Sequence, residues 1–144
     1  MKKVKSCGII VFDDQEKVLM VKHKEGHYGF PKGHVEEGET KEEITAHREV
    51  LEETNCDAII IPGFREENKY IVKHKEEDKT VVFFVGRPNP DVPLNIKPQE
   101  GETEFAGFVS SKEAHKLLED FPDVVHIFDK AIEFIEKENK NDRN

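Results

Sequence analysis

Tryptophan is absent from this 144-residue chain, and tyrosine occurs only twice, so any aromatic platform must be built from Tyr28, Tyr70 or one of ten phenylalanines. Long apolar runs are also absent. No stretch approaches the roughly 18 consecutive apolar residues that a membrane helix needs, and the opening Met1–Cys7 leads straight into an alternating run without a signal-peptide core. A membrane partner is therefore not expected, and the chain is expected to be cytoplasmic. Only two cysteines occur, Cys7 and Cys56, far apart and in apolar contexts. Two buried thiols in a reducing compartment fit that pattern better than a disulfide. A basic surplus is missing as well: 31 acids against 22 Lys and Arg leave a formal charge of −9, which argues against non-specific nucleic-acid binding.

What is present is one domain's worth of patterned sequence. Hydrophobic residues make up 35% and charged residues 37%, polar for a globular protein but with clear apolar runs. The charge is unevenly placed. Segment 33–57 holds nine acids against Lys41 and Arg48, whereas segment 1–32 holds seven lysines against four acids. An acidic cluster beside a basic arm fits a divalent-metal site facing a polyanion, although charge alone favours a solvated helix face.

Residues 5–12 and 16–22 read as two strands joined by Asp13-Asp14-Gln15. The stretch 23–38, rich in Gly, His, Lys and Glu, reads as a long loop. Thr40-Lys41-Glu42-Glu43 reads as a capping box that opens a helix to about Thr54, with Asn55 suited to the left-handed position that ends it. Ala58-Ile59-Ile60-Ile61 predicts a buried strand, 67–73 and 79–85 a strand pair around Glu76-Glu77-Asp78, and 104–109 a further strand. The Pro-rich stretch 86–103 reads as a loop. Ser110 and Pro122 open two last helices, the second with apolar residues at helical spacing through Ile135. Runs of strands broken by a helix predict an α+β fold. The first helix is expected on one face of a mixed sheet and the last on the other, in a single domain over 1–138 with a polar tail, 139–144.

The first helix carries the chemistry. At ~100° per residue, Glu49, Glu52 and Glu53 share an arc of roughly 100° on one face. Like charges at such spacing repel, and hard cations such as Mg²⁺ or Mn²⁺ would offset them. Val50 and Ala46 fall on another side and can anchor the helix to the sheet. Gly33 and Gly38 let the preceding loop fold back over the helix, bringing Lys32 beside the carboxylates and setting Glu39 against Arg48 as a structural ion pair.

The segment Gly33–Cys56, GHVEEGETKEEITAHREVLEETNC, resembles the signature of the Nudix hydrolases, G-x5-E-x7-R-E-U-x-E-E-x-G-U with U a bulky aliphatic. Gly33, Glu39, Arg48, Glu49, Val50, Glu52 and Glu53 match by type. Two positions depart: eight residues separate Glu39 from Arg48 where the signature has seven, and Asn55 stands in place of Gly. The extra residue is expected to lengthen the first helical turn or to bulge within the helix. The resemblance implies an α/β/α sandwich and metal-dependent hydrolysis of a nucleoside diphosphate linked to a further group. It implies Glu49, Glu52, Glu53 and the Lys32 carbonyl as metal ligands, with Glu52 alternatively orienting the attacking water, and Arg48 in the catalytic set. The general base remains open among the carboxylates.

Further segments, Cys7–Phe12, Tyr28–Val35, Gly63-Phe64-Arg65, Tyr70 and Lys79-Thr80-Val81, resemble the asymmetrical diadenosine tetraphosphate hydrolases within that family. This implies a dinucleoside polyphosphate substrate and Mg²⁺ or Mn²⁺ as cofactor. Lys32, His34, Lys79 and Arg65 would meet phosphates. Tyr28 and Tyr70 would stack on adenine, and Glu102 would lie near the site. For Tyr70, His34 and Glu102 the alternatives are a half-buried strand tyrosine, a loop hydrogen bond and a surface acid. A monomer is expected. Other readings keep the catalysis but change the substrate (an RNA 5′ end, a damaged nucleotide, a diphosphoinositol polyphosphate) or keep the fold as a non-catalytic nucleotide-binding module.

Overall fold

A strand buried on both faces needs apolar residues in succession, and Cys7–Phe12 supplies them. In the computed structural model, which describes residues 1–142, Lys2–Val11 form β1. β1 runs parallel to β7 (Glu77–Pro88), with Lys2 opposite Glu77 and Val11 opposite Gly86. Its other edge pairs antiparallel with the short β4 (Lys32–His34). The far edge of β7 is shared by β6 (Glu66–Val72) and β5 (Ala58–Ile60), both antiparallel. A second, three-stranded sheet has β2 (Val18–His23) between β3 (Tyr28–Gly29) and β8 (Thr103–Val109).

Alternation along the central strands splits the core into two layers. Cys7, Ile9 and Val11 of β1, Leu19 of β2, and Val82 and Phe84 of β7 pack with Ala46 and Val50 of helix α1 (Glu42–Thr54). Ile10, Phe12, Met20, Val81, Phe83 and Val85 face the opposite way. They meet Ala114 of α2 (Ser111–Leu117) and Phe128, Ala131 and Ile135 of α3 (Pro122–Asp142). Each fully buried aliphatic or aromatic side chain contributes about 1.5–3 kcal/mol. The result is the expected α+β sandwich with a mixed sheet between helices. Both cysteines are free and buried, and burial pushes each thiol up to about 11.

Several local readings change. The expected loop 23–38 contains β3 and β4, and β7 extends the strand expected at 79–85 in both directions. The chain reverses ahead of it in a 3₁₀ turn, Lys73–Lys75, closed by Glu76 in the left-handed region (φ 51°). Ile59 is 50% exposed, because β5 is an edge strand with one outward face. Thr40 does not cap α1: the N-cap is Lys41, with no side-chain cap. The extra residue enters here rather than inside the helix. Ile44 N–H closes a tight turn onto the Lys41 carbonyl at 3.1 Å, and α1 then runs unbroken to Asn55, left-handed at φ 62°. The expected polar tail, 139–144, is helical through Asp142, and Arg87 Nη2 donates to Asn139 Oδ1 at 2.9 Å. No described helix is long and apolar enough to cross a membrane.

Candidate active site

The three carboxylates of the α1 ridge lie at different depths. Glu53 is 3% exposed. Its Oε2 accepts the Lys32 backbone N–H at 3.1 Å, and its Oε1 lies 3.1 Å from His23 Nε2. Glu49 packs its carboxyl against the bare Cα of Gly33, where a Cβ would fall 2.0 Å from Glu49 Cδ. Only glycine at this point of β4 leaves room for it. Burial pushes the Glu49 carboxyl pKa up, and the hydrogen bond from Arg48 opposes that shift. Glu52, with its side chain 45% exposed, points outward and takes a 3.2 Å contact from Arg48 Nη1.

Arg48 joins the loop to the ridge. Its Nε and Nη2 donate to the two oxygens of Glu39 at 2.7 and 3.1 Å, so the extra residue leaves the expected pair intact. Nη1 donates to Glu49 Oε1 at 2.7 Å, and Nη2 also donates to the His34 carbonyl at 2.9 Å. This fork holds the Glu39 carboxyl down to about 2. Thr45 Oγ1 and the Glu36 N–H also donate to Glu39 Oε1, both at 2.8 Å, while Gly38 turns the loop at φ 89°.

Lys32 joins the ridge to a basic and aromatic region. Lys32 has its ammonium pKa lowered by burial, against the pull of Glu53 and Glu49. The His34 imidazole pKa is lowered by burial and by Lys79 and Lys32, and that of Lys79 by burial and Lys32, so the three groups share one positive field. A cavity of about 720 Å³ has Lys32, His23, Tyr28, Tyr70, Asn68 and Phe121 in its walls. Tyr28 stands edge-on to Phe105, with centroids 5.8 Å apart. Tyr70 is 40% exposed and lies opposite Lys79 in the sheet. A larger hollow, about 860 Å³, lies among Ile59, Arg87, Leu94 and Asn139 and includes none of these residues.

Two expectations shift. Arg65 is engaged elsewhere: Nε and Nη2 clasp Glu42 at 2.7 and 2.9 Å, and Nη2 also meets Glu67 at 2.8 Å. It serves as a strut between β6 and α1. The Glu102 side chain is exposed, and its backbone carbonyl accepts the Lys24 N–H at 3.2 Å. The residue that sequence reasoning missed is His23. It ends β2 where the register with β8 shifts, and nothing local in the sequence marks that bend as facing Glu53.

Among the described residues no three or more His, Cys, Asp or Glu side chains are gathered closely enough to hold a metal ion as they stand. The donor set nevertheless fits a hard divalent ion. Glu49 and Glu53 face inward as oxygen donors, the ionised form of Glu49 is under-compensated by its surroundings, and the outward Glu52 is held only by one long contact.

Comparison with known proteins accords with this arrangement. A family model described as the NUDIX domain matches residues 2–130. The bis(5′-nucleosyl)-tetraphosphatase [asymmetrical] of Rattus norvegicus is 34% identical over 119 residues, covering 72% of this chain and 79% of that one. The Sus scrofa protein of the same name is 29% identical over 147 residues, covering 92% and 95%. Among solved structures, a C. elegans Ap4A hydrolase binary complex superposes with a TM-score of 0.77 at 21% identity, covering 92% of this chain and 98% of that one. The MutT protein from Methanosarcina mazei Go1 gives 0.67 at 20% identity, covering 96% of each. These two likenesses show the fold. The chain belongs to the Nudix hydrolase family.

Proposed function

We propose that the chain is a metal-dependent pyrophosphohydrolase that cleaves a dinucleoside polyphosphate, diadenosine tetraphosphate, to ATP and AMP by attack of water on a terminal phosphorus of the bridge. The observation that carries this reading is the continuity of the site. The cavity holding Tyr28 and Tyr70 ends on Lys32, whose backbone N–H is bonded to Glu53. The names of the rat and pig relatives support the substrate.

In this reading Glu49, Glu52, Glu53 and the Lys32 carbonyl hold Mg²⁺ or Mn²⁺. When bound, the ion polarises phosphoryl oxygens and lowers the pKa of its water. Arg48 fixes Glu49 and the Glu39 loop in register. The half-exposed Glu52 can swing from Arg48 to orient water or receive its proton. Lys32 and Lys79 neutralise bridge charge, the His34 ring offers a hydrogen bond to a phosphate oxygen, and Tyr28 and Tyr70 offer base-tolerant stacking faces. Water's oxygen joins the phosphorus that leaves as AMP, and the bridging oxygen departs with ATP.

The test is product analysis by anion-exchange chromatography after incubation with Mg²⁺ or Mn²⁺. Equal amounts of ATP and AMP are expected. Two ADP, or an intact substrate alongside faster turnover of a capped or triphosphorylated RNA, would overturn the proposal.

A further inference from the structure

The set of ligands just proposed consists of oxygens alone, yet a nitrogen lies within it. His23 Nε2 is 3.1 Å from Glu53 Oε1. Two donors each about 2.1 Å from one cation, at a right angle, lie about 3.0 Å apart. The pair is therefore already spaced as neighbouring ligands of a six-coordinate ion. Glu53 remains anchored through its second oxygen by the Lys32 N–H, so Oε1 can turn from His23 to a shared ion without losing its place.

We propose that His23 is a ligand of the divalent ion held by Glu53, and that it sets the metal preference of this chain. The inference rests on the site reading above and extends it to the identity of the ion. Mg²⁺ favours oxygen donors, whereas imidazole strengthens binding to transition metals along the series from Mn²⁺ upward. The His23 ring thus biases the site toward Mn²⁺ and Co²⁺.

The test uses Mn²⁺ alone as the probe, without substrate, on the full chain, His23→Gln, His23→Ala and Glu53→Gln. Pulsed electron paramagnetic resonance reads imidazole nitrogen coupled to bound Mn²⁺, and calorimetry reads affinity for Mn²⁺ and Mg²⁺. The glutamine variant keeps a hydrogen-bonding partner for Glu53, and circular dichroism checks that each variant is folded. The expected result is nitrogen coupling that disappears in both His23 variants, with Mn²⁺ affinity falling by about 10-fold or more and Mg²⁺ affinity nearly unchanged. Mn²⁺ that binds through Glu53 without nitrogen coupling, or coupling that survives in His23→Gln (as His27 or His34 would give), overturns the role of His23 alone. Mn²⁺ affinity unaffected by Glu53→Gln overturns the site reading and this inference with it.

Discussion

Adding one methyl group at Gly33 separates catalysis from folding. An alanine Cβ there falls 2.0 Å from Glu49 Cδ and Oε2 and 2.6 Å from Oε1. Ordinary contact needs about 3.4 Å or more, so the carboxyl must retreat by more than an ångström. The obstructing atoms are the far end of a flexible side chain, so the strand can stay where it is. The stability cost is the lost Arg48–Glu49 hydrogen bond, of order 1 kcal/mol. It is partly offset by the ~0.4–1 kcal/mol gained when alanine replaces glycine at an ordinary backbone conformation. The net is within about 1 kcal/mol, or roughly 2–4 °C in Tm for a chain of this size. Catalysis does not escape so lightly, because misplacing a reacting group by 1 Å can cost about 100-fold. Gly33→Ala should therefore lose about 100-fold in kcat while melting within a few degrees of the parent. Turnover is read by product chromatography and melting by circular dichroism. Turnover within threefold of the parent would refute the placement of Glu49 in the catalytic set.

Glu53→Gln should also cost at least ~100-fold in kcat/KM, with no rise in Tm, because the carboxylate sits among Lys32 and His23 rather than among bare acids. Arg48→Ala removes the fork that ties Glu39 and Glu49 together and should lower stability by about 2 kcal/mol, visible in urea denaturation. Acid unfolding should follow Glu39 and Glu42, both held at about 2 by arginine against an ordinary 4.5. A depressed carboxyl contributes its stability above its unfolded pKa and loses it as pH falls toward the folded one, so stability should drop between about pH 4.5 and 2. Glu39→Gln should flatten that slope in pH-dependent melting, and an unchanged slope would contradict the assignment. Lys79→Ala should raise KM by about 10-fold with a smaller change in kcat.

The parts legible in the sequence were those governed by periodicity. The continuous apolar run Cys7–Phe12 and helical spacing in α1 and α3 sufficed for a sheet with a helix on each face, and the ridge of Glu49, Glu52 and Glu53 follows from helical geometry alone. Depth along that ridge was not legible. Glu53 is buried and Glu52 exposed because β4 crosses over one end of the helix, and that crossing depends on β1 pairing. The Arg48–Glu39 pair was legible from charge, and it survives an extra residue because the lengthening falls in the approach to the helix and not within it. Arg65 was misread for the converse reason: its partner Glu42 lies on a different element, and the contact exists only once β6 and α1 are in place. Thr40 failed as a cap because the helix starts one residue later, at a position where sequence preference is weak.

The pairing of β1 with β7 has a consequence for how the molecule comes into being. Lys2 lies opposite Glu77 and Val11 opposite Gly86, so the middle of the sheet joins stretches 75 positions apart. During synthesis β1 leaves the ribosome with the edge that will meet β7 unmatched. It stays so until residue 86 has emerged, well after the acidic helix is available to cover one side. Ribosome-bound chains arrested before β7 should thus remain open to proteases and chaperones, and those arrested once residue 86 clears the exit tunnel should close the sheet abruptly.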